Sequence, residues 1–303
     1  ADDTTYSNTV ATFDGFEDGA TYGVPPFTLF QTWEEVDPAT LLLDTYTGAA
    51  AAYSLRKLRT AYTGDAVEVY NGSSYADIGF NVFSELDTVA LAAHCGSSDG
   101  FVSKWYDQSG NTNTAAQTVT GSMPKIYDGA TTSVVTENGK PAVEFDGSDD
   151  GLTAAQSLGI TTTHAAIFVT YTVDASATGT FFSLQQGSSA GVRGQQNGAT
   201  NYRFEIKDPA GNVTLQTSDT AGQKVKSHFL APNSQEIFSN GSNVKSSTTT
   251  YSDYHFYTPK IGFRNNNSYF LGKVQEFVLY DSNQSANRTG IETNIATFYD
   301  ITI

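Results

Sequence analysis

From Ala66 onward the chain is a succession of short runs in which apolar and polar positions alternate, separated by turn residues. Ala66-Val67-Glu68-Val69-Tyr70 alternates, Asn71-Gly72 turns, and Tyr75 to Phe80 alternates again, which predicts a hairpin. Phe101 to Tyr106 reads as a strand running into the turn Asp107-Gln108-Ser109-Gly110-Asn111, and short strands at Pro124 to Tyr127 and Ala142 to Phe145 flank the turn Glu137-Asn138-Gly139-Lys140. Ala165 to Val173 is apolar at nearly every position, as a strand buried on both faces must be, and is expected at the centre of a sheet. Further strands are predicted at 180–184, 202–206, 213–216, 226–231, 235–239 and 260–263, with Leu271 to Tyr280 as the last. Ser246 to Thr250 is a loop or an edge strand. A helical period is read in three places. One begins at Ala49 to Ala52, carries Tyr53, Leu55, Leu58 and Tyr62 on one face and stops at Gly64. A second runs from Leu86 to Cys95 after Ser84, and a third from Ser285 to Tyr299 presents Ile291, Ile295 and Phe298.

So many hairpins imply an all-β, antiparallel two-sheet sandwich with a few short helices. Residues 1–47 differ: Gly15, Gly19, Gly23 and Pro25-Pro26 break any regular element, yet Tyr22, Phe27, Leu29, Phe30 and Trp33 are scattered among them. Such a stretch builds no core of its own and is read as an irregular arm that crosses the main domain or docks on a partner. The remainder divides into a module of short helices and a hairpin over 48–140 and a sandwich over 141–303.

Composition fits this picture. Aromatics are 13% of the chain, enough to fill the space between two sheets, while charged residues are only 16%. The formal net charge of -16 repels phosphate backbones and anionic lipid, which makes nucleic acid and membrane surface poor partners; neither nucleic-acid binding nor membrane insertion is expected. An acidic, Lys-poor surface suits a protein exposed outside a cell or on a particle. Cys95 is the sole cysteine, so no intrachain disulfide forms, and its apolar setting predicts an inert buried thiol. The missing disulfides point to a bacterial or viral source. No apolar run reaches the roughly 20 residues of a membrane span, and Ala1-Asp2-Asp3-Thr4 lacks the basic and apolar parts of a signal peptide.

Three sets of residues carry a resemblance. Lys260-Ile261-Gly262-Phe263, then Phe270-Leu271-Gly272-Lys273-Val274-Gln275-Glu276-Phe277-Val278-Leu279-Tyr280, then a helix ending Phe298-Tyr299-Asp300-Ile301 resembles the end of laminin G-like/concanavalin A-like jelly rolls. Phe145-Asp146-Gly147-Ser148-Asp149-Asp150 resembles the opening turn of the same family. Ala52 to Gly64, Asp77-Ile78-Gly79-Phe80 and Trp105-Tyr106-Asp107-Gln108-Ser109-Gly110-Asn111 resemble a module that precedes such jelly rolls in bacteriophage tail and virion proteins and in some bacterial surface proteins. A related arrangement opens the catalytic domain of an α-L-arabinofuranosidase family. The resemblance implies a jelly-roll fold and a non-enzymatic virion surface protein, a capsid decoration or a tail or fibre component. It would attach to other virion proteins through the arm, assemble as a homo-oligomer or within a larger structure, and offer a lectin-like jelly roll to host glycans. The alternatives are a secreted glycoside hydrolase and a bacterial cell-surface adhesin.

The candidate chemistry is thin. The arabinofuranosidase resemblance implies a proton-donating Asp in the loop before the last strand, but here that loop reads Gly262-Phe263-Arg264-Asn265-Asn266-Asn267-Ser268 and holds no acid. Glu205 is where a nucleophile would be sought first, although nothing maps one onto it, and no catalytic residue is assigned. Asp107, Gln108, Ser109 and Asn111 could contact a sugar with Trp105 or Tyr106 as a stacking platform, or could instead bond their own turn while Trp105 fills the core; the second is favoured. Asp146, Asp149 and Asp150 offer oxygens for calcium, or form a solvated acidic turn. His94, His164, His228 and His255 show no metal-ligand spacing, so no metal or cofactor is expected beyond that calcium. The sequons at Asn71, Asn212 and Asn240 matter only in a eukaryotic host.

Overall fold

A computed structural model describes residues 41–173, 178–186, 190–198, 200–208, 211–219, 222–264 and 268–303. The predicted arm lies outside the described residues except for 41–47, which hold the single helical turn α1 (Leu42–Thr45). Then come β1 (Ala49–Ser54), the hairpin β2 (Val67–Tyr70) and β3 (Tyr75–Ile78), helix α2 (Thr88–Cys95), β4 (Gly100–Trp105), β5 (Ala115–Ala116) and β6 (Lys125–Asp128). Short pieces follow, β7 (Ser133–Val134), β8 (Thr136–Glu137) and β9 (Lys140–Pro141), before β10 (Val143–Asp146), β11 (Leu152–Ala154) and β12 (Ile160–Thr162). The long strands are β13 (Ala165–Val173), β14 (Gly179–Ser183), β15 (Gly191–Gln196), β16 (Asn201–Asp208), β17 (Gly211–Ser218), β18 (Lys224–Ala231), β19 (Ser234–Ser239) and β20 (Ser242–Ser247). After β21 (Tyr254–Phe256) and β22 (Lys260–Ile261), β23 (Leu271–Tyr280) leads into α3 (Arg288–Phe298).

Strand β23 organises the whole. One edge pairs antiparallel with β13 from Ala166↔Tyr280 to Val173↔Gly272. The other edge takes β10 over Val143↔Val274 to Asp146↔Leu271, and then β1 over Ala49↔Tyr280 to Ser54↔Glu276. From β13 the ladder runs through β18 and β19 to β20. From β10 it runs through β6 to β4, then by β5, β11, β22, β14, β15 and β16 to β17, so the antiparallel sheet curls into a nearly closed jelly-roll sandwich. Inside it, Tyr53, Trp105, Phe145, Tyr171, Phe181 and Phe277 share one core. Outside, Phe168, Val278 and Tyr280 are capped by Leu42, Ile291 and Ile295 of α1 and α3. Both faces of β13 and β23 are therefore covered, which is why both read as near-continuous apolar runs.

The predicted helix from Ala49 is a strand. Its alanines are strong helix formers, but here tertiary pairing overrides propensity. All six residues of β1 are buried. Ala51 and Tyr53 face the inner core and Ala49 and Ala52 the layer under α1 and α3, where only small side chains fit between sheet and helix. Helix α2 does form, but Asp87 caps it by accepting from the amides of Val89 and Ala90, while Ser84 occupies a turn at φ 62°. Cys95 is buried, and that burial pushes its thiol up to about 11.

Two polar devices hold β1. On the edge away from β23, the turn after β4 substitutes for a missing strand. Asp107 Oδ1 accepts from the Ala52 amide at 2.9 Å, and the Gln108 amide donates to the Ala52 carbonyl at 2.8 Å. The Gln108 side chain accepts from Leu58 N and donates to the carbonyls of Ser54 and Arg56, while Asn111 donates to those of Ala49 and Ala50. Each is a backbone group that would otherwise be buried unpaired. On the β23 side, Arg56 Nε and Nη2 meet the carboxylate of Glu276 at 2.8 and 3.0 Å, and Ser54 Oγ donates to it at 2.8 Å. Burial alone would pull the Arg56 guanidinium down, but Glu276 outweighs it and holds the group above its ordinary value.

The turn between β10 and β11 is the predicted acidic one. Asp146 Oδ1 accepts from the Ser148 amide at 2.8 Å and Asp150 Oδ2 from the Asp146 amide at 3.0 Å. Burial, reinforced by the charge of Asp146, pushes the Asp150 carboxyl up to about 7.

Two outcomes follow from this arrangement. Arg56→Met should cost about 3–5 kcal/mol by stranding Glu276, and Arg56→Met with Glu276→Leu should recover most of the loss, as urea denaturation of the variants would measure. Asp150 binds its proton more tightly folded than unfolded, so its contribution is full below about pH 4 and is lost as pH rises through about 7. Asp150→Asn should accordingly match the parent near pH 4 and exceed it by ~1–2 kcal/mol near pH 8, a figure discounted for the solvent around Asp146 and Asp149. Denaturation at the two pH values checks it.

Candidate functional site

The alternation of side chains along β14, β15 and β16 separates two environments. Val192, Tyr202, Phe204 and Ile206 point into the aromatic core, where Tyr171 stacks on Phe181 with ring centroids 4.4 Å apart. The opposite face is polar. Across it the register sets Lys260 of β22 beside Ser183 of β14, Ser183 beside Arg193 of β15, Arg193 beside Glu205 of β16, and Glu205 beside Thr214 of β17. The next row is Thr180, Gln195, Arg203 and Gln216.

Glycines shape this face. Gly194 lies on the core side, where a Cβ would come within 2.4–2.7 Å of the rings of Phe181 and Phe182, so its absence lets β15 lie flat over them. Gly262 has φ +88°, and a Cβ there would come 2.2 Å from the Phe145 ring. This bend after β22 brings Arg264 to the electrostatic neighbourhood of Arg193 and Glu205.

Glu205 is the one carboxylate on this face among the described residues of these strands. Arg193 Nη2 lies 2.6 Å from its Oε2 and Arg203 Nη1 lies 3.3 Å from its Oε1. Burial, and then the charge of Arg193, pull Arg264 below its ordinary value, and Glu205 works against that. Lys260 is lowered by burial and by Arg264. Polar atoms without a partner gather here: Ser183 Oγ, both ends of the Gln185 amide, Gln195 Oε1, and the Nε atoms of Arg193, Arg203 and Arg264. Yet Ser183, Gln185, Arg193 and Gln195 are at most 7% exposed. A buried polar group without a partner costs ~1–3 kcal/mol, so this concentration makes the face the candidate site.

The candidates from the sequence lie elsewhere. Trp105 is fully buried and cannot serve as a stacking platform, and Tyr106 donates to Asp77. Asp107 and Gln108 are spent on β1, so the turn bonds backbone, though that of a distant strand more than its own. Asp146, Asp149 and Asp150 bring carboxylate oxygens within 4.8 Å of one another, but one oxygen of each already accepts a hydrogen bond within the turn or from Ser122. His228 is buried, held neutral by burial that pushes it down to about 3, and bonded to Tyr202. Strand β15 escaped the sequence reading because Gly-Val-Arg-Gly-Gln-Gln has one large apolar residue. Its signal was the pairing of Arg193 and Gln195 on one parity with Val192 and Gly194 on the other.

No protein-family model matches the sequence, and no curated protein matches it. Solved structures do. An arabinofuranosidase complexed with arabinofuranosyl-α-1,2-xylobiose superposes with a TM-score of 0.59 at 16% identity, over 84% of this chain and 64% of that one. A GH54 α-L-arabinofuranosidase soaked with a cyclic sulfate inhibitor gives 0.60 at the same identity and the same coverages. The receptor-binding domain of botulinum neurotoxin type G gives 0.47 at 10% identity, over 78% of this chain and 51% of that one. This chain thus spans just under two thirds of the length of the arabinofuranosidases, and what it shares with them is the β-sandwich fold.

Proposed function

We propose that the chain is a non-catalytic, lectin-like surface protein that binds glycans on the polar face of β22, β14, β15 and β16. The observation that carries this reading is the isolation of Glu205 among the described residues of this face. Glycoside hydrolysis needs two carboxyl groups, about 5 Å apart for retention or about 6.5–9.5 Å for inversion, one of them able to give a proton. Here the groups around Glu205 are guanidiniums, and Arg264 occupies the loop in which the arabinofuranosidase resemblance would place an acid. A guanidinium cannot protonate a leaving oxygen. It can hold a sugar, as can the unpaired amide of Gln185 and the unpaired side-chain carbonyl of Gln195.

Display on a bacteriophage particle, as a capsid decoration or a tail or fibre component, is the setting we favour. Its support is the order of module and jelly roll, the acidic surface and the aromatic-bearing arm. The competing reading is a glycoside hydrolase, and the arabinofuranosidase fold favours it.

Purified protein should release no aglycone from aryl α-L-arabinofuranosides while binding members of a glycan array. Turnover that Glu205→Gln abolishes would establish the hydrolase instead. Deletion of residues 1–40, which spares α1 and the buried Leu42 and Leu43, should leave the jelly roll folded by circular dichroism but abolish incorporation into the particle; incorporation at the parental level would move attachment to the jelly roll.

A further inference from the structure

The polar face has a charge opposite in sign to that of the chain as a whole. In a chain of net charge -16, Arg193, Arg203 and Arg264 converge on Glu205, leaving two positive charges in excess among these four groups. Lys260 adds a cation in the same row. The guanidinium edges are the informative part. Each of the three arginines keeps a buried Nε without a partner, and Arg193 is almost wholly out of solvent. The Nε–Nη edge of a guanidinium is a fork whose spacing matches the two oxygens of a carboxylate. One such fork, that of Arg193, already has Glu205 at one of its Nη atoms.

Resting on the reading that this face binds glycans, we infer that its ligand is an acidic saccharide. The carboxylate of a uronic-acid-type residue sits between Arg203 and Arg264, and its hydroxyls meet Ser183, Gln185 and Gln195. The polar groups divide accordingly. Donors without acceptors are arginine Nε atoms, which an anion satisfies. The Gln185 amide offers an unpaired donor and an unpaired acceptor, and Ser183 a hydroxyl that serves as either, the set required by a sugar's vicinal hydroxyls. A neutral sugar would cover the partly exposed Arg203 and Arg264 without compensating their charge, which disfavours it relative to an anionic one. A carboxylate is preferred to a sulfate or phosphate because a planar two-oxygen group fits the fork edge.

The test is isothermal titration of the full chain with oligogalacturonate, with the same oligosaccharide after reduction of its carboxyls to alcohols, and with a sulfated neutral oligosaccharide. Oligogalacturonate should bind, and the carboxyl-reduced form should bind at least tenfold more weakly. Arg264→Gln and Arg203→Gln should each weaken the acidic ligand about tenfold or more with the melting temperature unchanged, the loss expected for one charge-assisted hydrogen bond. Lys245→Gln, a charge change on exposed β20, should leave affinity as it was. Equal binding of acidic and carboxyl-reduced forms would overturn the inference while leaving the lectin reading intact. Tighter binding of the sulfated ligand would replace the carboxylate with another anion. Failure of every sugar on a wider array would overturn the lectin reading and this inference together.

Discussion

Everything in this fold hangs on the requirement that β23 have both edges paired and both faces covered. A strand with Phe277 turned to one layer and Val278 and Tyr280 to the other has no side to spare for water. It therefore needs β13 along one edge and two separate partners, β10 and β1, along the other. The chain supplies β1 from far upstream, and a six-residue strand of mostly alanine contributes little packing of its own. Glu276 answers that weakness. Its carboxylate is 1% exposed and is shared by Arg56 and Ser54, with Tyr299 from beyond the terminal helix 3.3 Å away, so three distant segments must be in place before the charge is satisfied. Such a group adds little net stability over an apolar substitute, but any arrangement that misplaces one partner is heavily penalised.

The Asp107-Gln108-Ser109-Gly110-Asn111 turn completes the same logic on the outer edge of β1. An unpaired edge inside a sandwich would bury carbonyls and amides without partners, and a true strand would need residues that the short connection from β4 to β5 does not have. Side chains do the pairing instead. Gln108 alone engages one amide and two carbonyls, a reach that no backbone segment of one residue could match. A motif that looks like a sugar-contacting loop is thus the structural counterpart of a strand.

Much of the architecture was legible because burial on two faces writes itself plainly: Ala165 to Val173 and Leu271 to Tyr280 could hardly be anything but central strands. What could not be read had one of two causes. At Ala49 to Ser54, intrinsic helix propensity and pairing demand disagree, and the pairing partner lies more than 200 residues away. At Gly191 to Gln196, half of the strand faces a polar site and so lacks the apolar alternation by which strands are recognised. The candidate site was hidden for the same reason, since its members come from four strands and a bend and no two of its cations are close in sequence except Lys260 and Arg264. Only Arg264 announced itself, by standing in a loop where an acid was sought.

That a strongly acidic protein sets three of its six arginines on one face is itself instructive. At physiological ionic strength charges are screened over about 8 Å, so the surface field of the remaining acids hardly reaches a group seated among guanidiniums. Long-range repulsion slows the approach of anions in general, while the buried forks reward one that arrives with its oxygens in plane. The aromatic layer beneath, with Phe181 and Phe182 packed where Gly194 has no side chain, keeps the arginine-bearing strands from shifting to relieve their mutual repulsion. The core therefore acts on the site: it holds like charges together at fixed spacing, and Glu205 offsets only part of their repulsion. An arrangement held at that cost, with its arginine Nε donors unpaired among the described residues, is one that the proposed acidic ligand would relieve.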